Sequence, residues 1–178
     1  FSCTQGSFLK LPFLTLLFRK ILLTIFVAVF IMNEPLVSIC IPAYKKPQYV
    51  VRVLDSVQKQ DYKNVEIIIS DDSPDEDTKQ AIAPFRNSLT IKYFHNKPAL
   101  KTPKNWNHAL QRASGDYLVL MHQDDWYLAT DAISTYVAAM EKSNADFVFC
   151  RNTAVDASGK ETVLQHIPSL ITPLHKNP

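Results

Sequence analysis

Val65-Glu66-Ile67-Ile68-Ile69-Ser70-Asp71-Asp72 decides the fold class: an apolar, β-branched run that stops abruptly at two carboxylates reads as a buried strand whose C-terminal tip meets solvent. A second stretch repeats the plan, with Tyr117-Leu118-Val119-Leu120-Met121-His122-Gln123 running into Asp124-Asp125. Strands of this kind belong to parallel sheets covered by helices, and open parallel sheets bind ligands beyond the carboxyl ends of their strands. Adjacent carboxylates at two such tips suit a divalent cation with a phosphorylated ligand, because hard cations take oxygen donors and keep positions for phosphate.

Working outward, short apolar runs alternate with amphipathic segments, the pattern of βαβ units. Residues 36–41 form the expected first strand. Residues 49–60 follow as a helix, with Val50, Val53, Leu54 and Val57 at helical spacing. After the 65–70 strand, Ser73 is the expected N-cap and Pro74 the first residue of a helix reaching about residue 85. Asp75, Glu76 and Asp77 then complement its dipole. Residues 90–94 read as a third strand, 103–113 as a helix closed by Gly115, 116–121 as a fourth strand, 131–143 as a helix and 146–150 as a further strand.

Composition narrows the function. The chain has 178 residues, 47% of them hydrophobic and 20% charged, and a net charge of +2, which makes it globular and gives no electrostatic reason to bind nucleic acid. Its glycines are Gly6, Gly115 and Gly159, so neither a dinucleotide-binding GxGxxG loop nor a Walker loop is present. Phosphates, if bound, need a metal. Cys3, Cys40 and Cys150 show no CxxC pairing, and Cys40 and Cys150 are expected as small core residues in a reducing compartment.

Residues 1–32 differ in composition from the rest. Lys10, Arg19 and Lys20 interrupt an apolar stretch, and the clean run from Ile21 to Met32 is shorter than the roughly 20 residues of a spanning helix. Three readings stand: a signal-anchor-like or interfacial segment associated peripherally with a membrane, a packed extra helix, or sequence foreign to the native protein with Met32 as the true start. No small-residue cleavage site follows the run.

Four motifs in order carry a resemblance. Val37-Ser38-Ile39-Cys40-Ile41-Pro42-Ala43-Tyr44, Glu66 through Ser73, Asn105-Trp106-Asn107-His108-Ala109-Leu110 through Gly115-Asp116-Tyr117, and Gln123-Asp124-Asp125-Trp126 together resemble family 2 glycosyltransferases over residues 36 to about 159. The resemblance implies an α/β GT-A fold, a Rossmann-like sandwich with a mainly parallel central sheet flanked by helices. The domains would be residues 33–160 for nucleotide-sugar binding and 161–178 as a partial C-terminal segment. It implies a nucleoside-diphosphate sugar as donor, a UDP-sugar favoured, and transfer with inversion to a glycan or lipid-linked acceptor in bacterial surface polysaccharide synthesis. The location would be cytoplasmic, at the inner face of the membrane.

Site residues follow from the same likeness. Pro42, Ala43 and Tyr44 would line the nucleotide pocket, Asp72 would accept from the base, Asp124 would contact the ribose or the metal, and Asp125 would bind Mn²⁺ or Mg²⁺. Lys101, and less directly Lys104, would reach the nucleotide or diphosphate as a point charge. His122 is expected to pack beneath the site rather than bind metal, and Trp126 reads equally as an acceptor-side wall or an anchor for the next helix. The family's general base lies beyond the metal motif. Glu141, Asp146 and Glu161 do not match its context, so the chain is expected to be truncated and its catalytic base stays unassigned.

Three rival readings compete with this one. A sugar nucleotidyltransferase lacks support because Pro42-Ala43-Tyr44-Lys45 stands where a glycine-rich loop belongs. A receiver domain would need a lone acid ending its third strand, where His95-Asn96 stands instead. A non-catalytic nucleotide-binding or scaffold fragment of the same fold remains the alternative.

Overall fold

Four strands, β1 (Val37–Ala43), β2 (Val65–Asp71), β3 (Ile91–His95) and β4 (Tyr117–Leu120), form an all-parallel sheet in the order β3-β2-β1-β4. The computed structural model describes residues 19–22, 24, 34–143, 145–150, 153–156, 160 and 162. Readings of residues 1–32 and 161–178 therefore fall almost wholly outside the described residues. Among those described, no helix is long and apolar enough to cross a membrane. Two compact units are distinguished, residues 1–137 and 138–178.

Continuous apolar sequence explains the centre of the sheet. All seven residues of β1 are buried, and Ile39 stands in register between Ile67 of β2 and Val119 of β4. Alternate side chains then divide the strands between two layers. Ile39, Ile41, Ile67 and Ile69 pack under α1 (Pro47–Gln58), whose Val50, Val53, Leu54 and Val57 are the apolar stripe read from the sequence. Ile82 joins the same core just past the short α2 (Asp77–Ala81). On the opposite face Cys40 and Ile68 meet Ala109 of α3 (Lys104–Leu110). α4 (Ala132–Ser143) contributes Ile133 to the first core. The last strand differs from expectation: β4 is covered on one face only, with Tyr117 and Val119 packed against the core while Leu118 on the other face is 54% exposed.

Several expected boundaries are corrected. Ser73 does not cap α2, which begins four residues later with Glu76 at its N-cap, because Ser73 is buried and its hydroxyl bonds to Asp71 while accepting from Lys45 N. Gly115 does not close α3, which ends at Leu110; a Cβ there would lie 2.5 Å from Leu36 O, so this glycine permits close approach of two backbones. Residues 146–150 form no strand. Phe147 and Phe149 are exposed and touch edge-to-face with ring centroids 4.7 Å apart, and a strand without a paired neighbour has no ladder to hold it. Cys40 is core as expected, but Cys150 is exposed. Burial, then the Glu66 charge, pushes the Cys40 thiol up to about 11, so it stays protonated and inert.

Glu66 is the polar peg beneath the sheet. Its Oε1 accepts from Ser38 Oγ at 2.6 Å, Ser114 N at 2.6 Å and Ser114 Oγ at 2.9 Å, while Oε2 pairs with Lys92 Nζ at 2.6 Å. Burial alone would raise this carboxyl, but Lys92, Ser38 and Ser114 outweigh it and hold it near 2. Because the folded value lies below the 4.5 of an unperturbed glutamate, the stabilisation is complete above that pH and is lost as pH falls towards 2. Glu66→Gln is expected to cost on the order of 2 kcal/mol at neutral pH. Urea midpoints should show the gap to wild type narrowing between pH 4.5 and 3; a gap independent of pH would count against the charged peg.

Candidate nucleotide-sugar site

Strand order reverses between β1 and β4, and the chain leaves a cleft of about 450 Å³ at that switch point. Its walls come from the β1 tip (Pro42, Ala43, Tyr44), the β2 tip (Asp72), the turn before α3 (Ala99, Lys101, Thr102), α3 itself (Asn105, Trp106) and the β4 tip (His122, Gln123, Asp124). The structure thus brings Pro42, Ala43, Tyr44, Asp72, Lys101 and Asp124 to one cavity. Asp125, the expected metal ligand, is the next residue along but is not among those lining it.

The adjacent acids of β2 have separate tasks. Asp71 is fully buried, and its carboxylate takes Ser73 N at 2.9 Å and Tyr93 Oη at 2.8 Å. It is a structural acid. Burial and then Asp71 push the Tyr93 phenol upward. Asp72, only 5% exposed, instead reaches the cleft wall and accepts from Asn96 Nδ2, Leu100 N and Lys101 N. Lys101 therefore contributes its backbone N–H, and it does so at φ 62°, a conformation disfavoured for a residue with a Cβ. Lys45 and Lys46, with φ of 55° and 50°, give the loop after β1 the same unusual backbone, and such outliers concentrate at functional sites.

Gln123 joins the two sides of the switch point. Its Oε1 accepts from Tyr44 N at 2.9 Å and its Nε2 donates to Tyr44 O at 3.1 Å, so one side chain pairs with the backbone of the facing lip like a neighbouring strand. Beyond the acids, Tyr127 N donates to Ser56 Oγ, and buried Gln60 bonds to Ala129 O and Ile133 N, fixing the following loop against the end of α1. Arg52 of α1 places its guanidinium 4.7 Å from the Trp126 ring centroid, which gives Trp126 its anchoring contact. His122 packs edge-on to Trp106 at 4.9 Å. Sequence reasoning missed Asn96, Gln60 and the clamp of Gln123, because an amide that bonds to distant backbone carries no local pattern.

The β4 tip carries the charge. Asp124 and Asp125 are both exposed, with Asp125 N closing a turn onto His122 O at 3.0 Å. Partial burial, then the neighbouring Asp124 charge, raises the Asp125 carboxyl, with His122 opposing. No cluster of three or more His, Cys, Asp or Glu suited to a metal occurs among the described residues. Two adjacent repelling carboxylates beside an open cleft fit the mode in which a hard cation is held by one or two carboxylates and by substrate phosphates.

Comparison with known proteins agrees with this geometry. The family model for glycosyl transferase family 2 matches residues 38–177. The chain belongs to glycosyl transferase family 2. Among its family relatives is the GalNAc(5)-diNAcBac-PP-undecaprenol beta-1,3-glucosyltransferase of Campylobacter jejuni, 33% identical over 115 residues, which are 64% of this chain and 36% of that one. The Escherichia coli UDP-Glc:alpha-D-GlcNAc-diphosphoundecaprenol beta-1,3-glucosyltransferase WfgD is 30% identical over 118 residues, 66% of this chain and 46% of that one. The crystal structure of Staphylococcus aureus TarS residues 1–349 in complex with UDP-GlcNAc superposes with a TM-score of 0.58 at 27% identity, covering 62% of this chain and 32% of that one. The match spans 32% to 46% of these family members' lengths, and the parallel sheet with flanking helices is the GT-A core they share.

Proposed function

We propose that this family 2 protein moves a sugar from a nucleoside-diphosphate sugar, UDP-linked by preference, to a hydroxyl of a glycan or lipid-linked acceptor in surface polysaccharide synthesis, with inversion at the anomeric carbon. The observation that carries the reading is the cleft at the β1/β4 switch point, where Asp72, Tyr44, Lys101 and Asp124 converge. TarS binds UDP-GlcNAc on the same fold, and the two relatives act on diphosphoundecaprenol-linked acceptors, which supports the donor and acceptor classes and a cytoplasmic site of action at the membrane face.

In this reading each residue has a physical task. Asp72 is a charged acceptor, suited to the imide N–H of a base. Pro42, Ala43 and Tyr44 wall the base and ribose, and the Tyr44 ring, half exposed, offers a stacking surface. Lys101 supplies positive charge towards the diphosphate. Asp125, with Asp124 beside it, would hold Mn²⁺ or Mg²⁺, which when bound offsets the negative charge gathering on the departing diphosphate. Asp72 and Asp124 are the acids lining the cleft, and both are occupied by the donor, so neither is assigned as the general base.

The test is a transfer assay with UDP-glucose or UDP-N-acetylglucosamine, Mn²⁺ and an undecaprenyl-diphosphate-linked sugar acceptor. NMR of the product should show the anomeric configuration inverted relative to the donor. A retained configuration would contradict the stereochemistry, and transfer from none of a panel of nucleotide sugars would contradict the donor class.

A further inference from the structure

A carboxylate offers about four acceptor positions, two on each oxygen, and the protein fills three of those on Asp72. Asn96 Nδ2 at 2.9 Å and Leu100 N at 3.0 Å both donate to Oδ1, whereas among the described residues Oδ2 receives Lys101 N alone, at 2.7 Å. One acceptor position remains, on Oδ2.

The donor that completes Oδ1 is itself held from several sides. Asn96 follows directly after β3, and its backbone N donates to Asp71 O at 2.8 Å. Its Nδ2 also lies 2.9 Å from Ser70 Oγ and 3.2 Å from Asn105 Oδ1. Ser70 Oγ is held in turn by His108 Nδ1 at 2.7 Å, and Arg112 Nη2 stands 3.1 Å from His108 Nε2. A guanidinium can only donate, so His108 Nε2 accepts and its proton sits on Nδ1, donating to Ser70. The amide of Asn96 is thus fixed by β2 and α3 before any ligand arrives.

We infer that Asn96 is a positioning residue for base selectivity: together with the Leu100 N–H it saturates Asp72 Oδ1, leaving the carboxylate one acceptor for the ligand, and so favours uracil or thymine over guanine. The inference rests on the nucleotide-binding reading given above and adds the residue that sets which base is taken.

The chemistry of the bases supplies the reason. Uracil and thymine present a single imide N–H between two carbonyls, which one acceptor satisfies. Guanine presents its ring N–H and its exocyclic amine side by side, a pair that matches both oxygens of an unencumbered carboxylate. With Oδ1 filled, one guanine donor enters the cleft without a partner, and an unpaired donor removed from water is costly. Cytosine and adenine can meet that acceptor only with the exocyclic amine, which brings a ring-nitrogen acceptor beside the carboxylate at a cost in repulsion.

Calorimetric titration of the whole chain with UDP and with GDP, each in Mn²⁺, tests this in wild type, Asn96→Leu and Asn96→Ala. Wild type is expected to bind UDP at least about tenfold more tightly than GDP, and both variants to bring that ratio to within about threefold, as the carboxylate regains its second acceptor. A merely structural role would weaken both nucleotides alike and leave the ratio intact, so an unchanged ratio in the variants overturns the inference. Equal affinity of wild type for UDP and GDP overturns it as well, without appeal to a variant, and leaves the nucleotide reading standing. Binding of neither nucleotide by folded wild type removes that reading and the inference with it.

Discussion

Asp125→Ala is expected to abolish the metal-dependent part of UDP binding, weakening affinity in Mn²⁺ by about a hundredfold or more, beyond what is typical for losing a partner that only orients a metal ligand. The substitution removes one of the two adjacent carboxylates at the β4 tip, and the described residues offer no cluster that would substitute for it. The fold should not suffer. Asp125 is exposed, and its carboxyl is raised by partial burial and by Asp124, so removing it relieves repulsion and the melting temperature should hold or rise slightly. Binding in the absence of metal should be little altered. Equal Mn²⁺ dependence in the variant and wild type would show that Asp125 holds no metal, in keeping with its place outside the cleft lining.

Gly115→Ala should be the most damaging small substitution in the sheet. An added Cβ would lie 2.5 Å from Leu36 O, 2.6 Å from Ser38 Oγ and 2.9 Å from Ser38 N, and two of those three atoms are backbone at the entry to β1. A rotamer change relieves only the serine contact. β1 and β4 must part to admit the methyl group, and the bonds from Gly115 N to Ser38 Oγ and from Ser114 to Glu66 lie in the same place. A cost of about 3 kcal/mol or more is expected, at the upper end for overpacking. Chemical denaturation reads it directly, and a variant within about 0.5 kcal/mol of wild type, the usual range for a surface change, would contradict the close approach. Because β4 carries Asp124 and Asp125, surviving protein should also bind metal and nucleotide more weakly.

Much of the fold was legible because burial on both faces writes itself as uninterrupted apolar sequence. Residues 36–41 and 65–70 needed no tertiary information, although β1 runs on to Ala43 and β2 to Asp71, and the stripe of α1 was equally plain. Errors arose where a residue had two physical uses. Ser73 has the chemistry of an N-cap but is taken by Asp71 and Lys45, and Gly115 has the spacing of a helix-ending glycine but serves a backbone contact. Residues 146–150 have strand composition, yet strand formation depends on a neighbour that composition cannot supply.

At the candidate site, the acids could be read from position alone, since strand tips converge in any open parallel sheet, whereas Pro42, Ala43 and Tyr44 came from the family resemblance. Amides could not. Gln123 meets Tyr44 from 79 residues away, and Asn96 meets Asp72 from 24 away, pairings that only the register of the sheet creates. The division of labour between Asp71 and Asp72 came from the resemblance, which singled out Asp72, and not from the pattern, because adjacent strand residues point to opposite sides and only the surroundings show which side holds the cleft.

The most direct measurement is a calorimetric titration of the protein with UDP, with and without Mn²⁺. The account predicts saturable binding that strengthens markedly with the metal. A demonstrably folded protein that bound neither UDP nor dTDP nor GDP under either condition would contradict the assignment of the β1/β4 cleft as a nucleotide-sugar site.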